Sequence, residues 1–149
     1  IPSILVFLAH LYRLDIEKNK VLDMIFKTVE WLSSIQQNDY HSYPGLVLVS
    51  GIKRYSKLSW CYGDLGIAIA FIQVGLMINN NHIFHNGIEL SKKCADKLNE
   101  QNYINEAILC HGSAGIAHIF NRIFNYSGIS TFRDASISWF KHLSGLSIH

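Results

Sequence analysis

A chain of 149 residues is long enough for one ordinary hydrophobic core, burying roughly two-thirds of the unfolded surface, and its length calls for no second domain. Apolar residues make up 49% and charged residues only 16%, a balance that suggests surfaces built to meet neighbours, as in a piece of something larger. A formal charge of +2, with Lys and Arg scattered rather than clustered, argues against a nucleic-acid partner.

The chain opens at Ile1 without a methionine, and Ile1 to Leu8 lacks the basic leader and small-residue cleavage site of a secretory signal, so this start reads as a cut. Proline occurs only at Pro2 and Pro44, which permits long helices almost everywhere. From Pro2 to Leu14 the apolar positions Ile4, Leu5, Leu8, Leu11 and Tyr12 recur at helical spacing, and Asp15 to Asn19 is a polar connector. Val21, Leu22, Ile25, Val29, Leu32 and Ile35 then form an amphipathic stripe opposite Asp23, Lys27 and Glu30. Gln36 to Leu58 loses periodicity and reads as a long irregular loop, with Leu46 to Val49 briefly extended. From Leu65 to Val74 the chain is apolar on every side, as a helix buried all round should be. The longest nearly apolar run, Leu65 to Ile78, is interrupted by Gln73 and falls short of the ~18 residues of a membrane-spanning helix. An amphipathic helix follows from about His82 to Leu98 through Phe84, Ile88, Cys94, Ala95 and Leu98. Ile116, Ile119, Phe120 and Ile123 begin a third round, closed by Phe132, Ala135, Trp139, Phe140 and Leu143.

These rounds are an internal repeat. Gly63-Asp64-Leu65-Gly66-Ile67-Ala68 aligns with Gly112-Ser113-Ala114-Gly115-Ile116-Ala117, and Ile1-Pro2-Ser3-Ile4-Leu5 aligns with the last positions of both. Three inner helices alternating with three outer ones predict an all-α fold, a curved layer of helical hairpins.

Cys61 and Cys110 stand immediately before the two glycine turns, and His111 follows Cys110. Two thiolates and an imidazole are the donor count of a zinc site that leaves its fourth position open, and the repeat puts both turns on one rim. On spacing alone the cysteines read more readily as small hydrophobes at helix starts than as metal ligands. Cys94, inside an outer stripe, reads as core. Three cysteines is an odd number, which favours a reducing, cytoplasmic setting over a disulfide framework. His82 and His85, one turn apart on an outer element, read as surface. His118, one turn into the third inner helix, is placed to line the cavity but reads first as a core histidine, and His10, His41, His142 and His149 carry no constellation.

Trp60-Cys61-Tyr62-Gly63-Asp64-Leu65-Gly66 and Cys110-His111-Gly112-Ser113-Ala114-Gly115 resemble, in order and separation, the two zinc motifs of the lanthionine synthetase C-like cyclases. The resemblance implies an arc of an α/α toroid, with residues 1–149 a single partial cyclase domain lacking the N-terminal part and the C-terminal end. It implies Zn2+ on Cys61, Cys110 and His111. The activity would be addition of a peptide cysteine to dehydroalanine or dehydrobutyrine, closing lanthionine rings in a dehydrated precursor peptide. A dehydratase and a transporter would be partners in a biosynthetic complex. Tyr62 matches the family's residue after the cysteine, placed either to contact substrate or simply to pack the rim. Lys57 stands where the family tends to have arginine, keeping the charge but not the bidentate fork. The family's acid or base is a histidine before glycine, expected just upstream of Ile1. The same donors also suit a toroid that holds a thiol ligand, such as glutathione or a cysteine peptide, without closing rings. A purely structural helical repeat would hold no metal.

Overall fold

The helical periods become six α-helices among the described residues, which are 1–48, 50–51, 53–54 and 57–146 of this computed structural model. α1 (Pro2–Arg13) and α2 (Lys18–Ile35) make one hairpin, α3 (Asp64–Met77) and α4 (Asn81–Ala95) a second, α5 (Ser113–Ser127) and α6 (Ser130–Ser144) a third. Pro2 opens α1 at the position where its missing N–H costs nothing. Between α3 and α4, Asn79 takes the left-handed conformation (φ 55°) that asparagine tolerates, and the Asn80 side chain caps α4 by accepting the Ile83 N–H at 3.0 Å.

α3 packs against α1 on one side and α5 on the other, so these three form the inner layer, each backed by its hairpin partner; α4 also meets α6. This position explains the all-apolar sequence of α3. Leu65, Ile69 and Ile72 join a core with Phe120, Phe132 and Trp139, whereas Ile67, Ala68, Phe71 and Val74 join another with Leu5, Ile25 and Leu32. Each fully buried Leu, Ile, Val or Phe side chain among these contributes about 1.5–3 kcal/mol. The all-α class holds, with adjacent hairpins arranged as in an arc of an α/α toroid, and no helix among the described residues is long and apolar enough to cross a membrane.

Several boundaries and faces differ from the periodic reading. The second outer helix ends at Ala95 rather than Leu98, and a 3-10 turn at Leu98–Asn102 follows, turning Lys97 and Glu100 inward. Leu98 is left partly exposed. Ile4, aligned with the buried Ile67 and Ile116, faces solvent beside Phe7. In the irregular loop, β1 (Leu46–Val47) pairs antiparallel with β2 (Lys53–Arg54), a register with Leu46 opposite Arg54; Val49 and His149 lie outside the described residues.

Candidate metal centre

The site is made by two turns, each leading into an inner helix. Gly63 precedes α3 at φ 85°, a conformation open to glycine and strained for other residues. Inside each helix a second glycine meets the turn that leads to it. A Cβ on Gly66 would run into the Trp60 carbonyl, and one on Gly115 into the Leu109 carbonyl. Trp60 and Leu109 are the residues just before Cys61 and Cys110, so the repeated glycine spacing folds both cysteine turns back onto their helices in the same way.

The two turns also bind each other. The Trp60 N–H donates to the Cys110 carbonyl at 3.0 Å, and the Cys61 thiol approaches the same oxygen at 3.5 Å. The Cys110 thiol donates to the Cys61 sulfur at 2.9 Å, which pushes the Cys110 thiol above its ordinary pKa. One donor atom from each of Cys61, Cys110 and His111 lies within 4.8 Å of the others, a group able to hold a metal ion. The set is compatible with zinc: tetrahedral bonds of ~2.3 Å to sulfur would separate the sulfurs by about 3.8 Å, so the pair need open by less than ~1 Å. Cys61 is half-buried and Cys110 exposed, so the group is open to a ligand.

Around it, Lys57 pairs with Glu106 at 2.9 Å, linking the approach to the first turn with the approach to the second. The hydrogen bond from Lys57 holds the Glu106 carboxyl below its ordinary range, with a smaller contribution from His111. Tyr62 and Cys61 line a cleft of ≈ 460 Å3 bounded by Trp31 and Ile35 of α2 and by Leu46 and Leu48 of the loop.

Beneath the turns lies a charged network that motif reading misses. Asp64 is buried and accepts the Ser42 and Tyr43 N–H groups at 3.0 and 2.7 Å and the Lys97 ammonium at 2.7 Å. Glu100 accepts the Leu58 N–H at 2.7 Å, and His41 sits between the carboxylates, 3.9 Å from Asp64 and 3.5 Å from Glu100. His41 therefore does belong to a constellation, contrary to the sequence reading. His118 also departs from it: the residue is exposed and lines a cleft instead of the core, because its helix turns that position toward α3. Cys94 is fully buried, as expected, and His82 and His85 are exposed. His10 is exposed, and the His142 ring Nε2 lies 2.8 Å from the Ile104 carbonyl.

A search of curated proteins finds no match. The family model described as lanthionine synthetase C-like protein matches residues 1–142, nearly the whole chain. With its helical hairpins and its Cys61, Cys110 and His111 group, the chain belongs to the lanthionine synthetase C-like family.

Proposed function

We propose that this chain serves a zinc-dependent cyclase that forms lanthionine rings in a dehydrated precursor peptide. The observation that carries the reading is the meeting of two repeat-related turns, which bring Cys61, Cys110 and His111 within 4.8 Å. Three protein donors leave one tetrahedral position for a substrate thiol. Zinc held there would keep that thiol deprotonated at neutral pH. In the overall reaction the peptide sulfur bonds to the β-carbon of dehydroalanine or dehydrobutyrine, and the α-carbon takes up a proton. The substrate already carries its double bond, so a dehydratase must act first.

The other residues bind and orient. Tyr62, exposed beside Cys61, contacts the peptide from the cleft wall. Lys57 keeps a cation beside the turns; its ion pair with Glu106 is solvent-exposed and weak, so the ammonium remains free to exchange toward an anionic substrate group.

Metal analysis of purified protein is expected to find about one zinc per chain, and Cys61→Ala to lose it; full zinc occupancy in that variant would sink the assignment. Cyclisation leaves the peptide mass unchanged, so a dehydrated cysteine peptide is incubated, alkylated and weighed. Ring closure protects the thiol from alkylation. A thiol that binds yet still alkylates shows a thiol-holding toroid instead.

A further inference from the structure

The inner helices carry few charged residues, one each. α1 and α5 contain no carboxylate, and the single carboxylate of α3, Asp64, is buried against Lys97. The Arg122 guanidinium and the His118 imidazole nevertheless line the cleft between α3 and α5. That cleft, of ≈ 430 Å3, begins at Trp60 and Leu109, each one residue from a cysteine of the metal group, and runs past Ile69 and Gln73 to His118 and Arg122.

Its far end is a built cationic site. The Arg122 guanidinium donates to the Tyr126 hydroxyl at 2.8 Å and lies 5.2 Å from the centre of that ring; Gln73 donates to the same hydroxyl at 3.2 Å. Tyr126 thus anchors Arg122 by one N–H and leaves the rest of the fork for an anion. Among the described residues no carboxylate pairs with Arg122, and His118 stands one turn closer to the cysteines on the same face. A neighbouring cleft of ≈ 510 Å3 adds Arg13 of α1 beyond Gln73 and Tyr126. A groove with a guanidinium at its far end and an apolar mouth beside the metal group, and with no carboxylate among its described lining residues, suits an acidic side chain on a peptide that brings a thiol to that group.

We infer that the α3–α5 groove is a second subsite for the thiol-bearing peptide, in which His118 and Arg122 bind an Asp or Glu side chain a few residues from the reactive cysteine. The inference rests on the proposed thiol-binding role of the metal centre. Helix rise sets the register. His118 lies about 7–8 Å and Arg122 about 13–14 Å along α5 from Ser113, which an extended peptide spans in roughly two and four residues. The preferred acidic residue therefore lies two to four positions from the cysteine.

The test uses the zinc-loaded full chain and short synthetic peptides, each with one cysteine and a Glu or a Gln at that distance, together with versions carrying Ser in place of Cys. Calorimetric titration is expected to show the Glu peptide binding about tenfold more tightly than the Gln peptide, as for one charge-assisted contact. Arg122→Gln should remove most of that preference while the Cys-over-Ser preference stays. His118→Gln, also at an exposed position, should weaken peptides with the nearer Glu most. Equal affinity for Glu and Gln peptides, no detectable binding of either, or an undiminished preference in both variants overturns the subsite. Loss of the Cys-over-Ser preference with the Glu preference intact overturns the thiol-binding role and not the groove.

Discussion

At Gly66 and Gly115 a single missing Cβ controls the approach of a cysteine turn to its helix. Any side chain there would displace the Trp60 or Leu109 carbonyl, and with it the neighbouring sulfur. Gly66→Ala is therefore expected to destabilise the fold by about 1–3 kcal/mol and to weaken zinc binding as well. Gly75→Ala is the matched comparison. A Cβ at Gly75 would meet the backbone of Phe84, far along α3 at its contact with α4, so it should cost similar stability and leave zinc affinity unchanged. Denaturant melts alongside competition with a zinc chelator check both; equal zinc affinity in Gly66→Ala and wild type would show that the turn is not what sets the donor geometry.

The elements are held in register by Asp64, the first residue of α3, which gathers the loop through Ser42 and Tyr43 and the outer layer through Lys97. The two ends of this ion pair are not equivalent. Asp64→Ala leaves the Lys97 ammonium buried without its carboxylate and orphans two N–H groups, which should cost about 3–5 kcal/mol. Lys97→Met should cost less, because the Asp64 carboxylate keeps both N–H donors and has His41 at 3.9 Å. Urea midpoints at neutral pH compare the two, and a Lys97→Met loss equal to that of Asp64→Ala would contradict this order. The same network marks where the sequence stops being legible. The six helices were readable because stripes such as Val21, Ile25 and Leu32 repeat locally, and the all-apolar run at α3 announced a helix enclosed on two sides. The cysteine turns were readable because the repeat places them in equivalent positions. His41, Lys97 and Glu100 carry no local pattern: they come from a loop and a 3-10 turn, and only folding joins them to Asp64. For His118 the cavity-lining alternative holds over the core one, and spacing could not choose between them, because it says that a residue sits on a helix and not which side of an inner helix remains open.

On the scale of the whole molecule, the two apolar cores each enclose one acid that resists ionisation. Cys94 lies in the core shared by α3 to α6, and Tyr43 in the core shared by α1 to α4. Burial pushes the Cys94 thiol well above its ordinary value, with the Asp64 charge adding to the effect. Burial likewise pushes the Tyr43 phenol up to about 12, again with Asp64 contributing. In both cases the folded chain keeps a proton that the unfolded chain releases. The stability is fully present below the unfolded pKa values and is lost as pH rises toward the folded ones. The fall should begin near pH 9 through Cys94 and continue from about pH 10 to 12 through Tyr43, the latter amounting to roughly 2–3 kcal/mol. Tyr43→Phe keeps the T-shaped contact with Phe71 and removes the phenol, so it should flatten the upper part of the decline. Cys94→Ala should start from a lower plateau, because it leaves a small cavity, and should delay the onset. Denaturation across this range, taken as the difference between each variant and wild type, isolates the contributions of these two groups. An identical upper decline in Tyr43→Phe would mean that the α1-to-α4 core admits the ionised phenol, and that the two hairpins around α3 part more readily than their packing indicates.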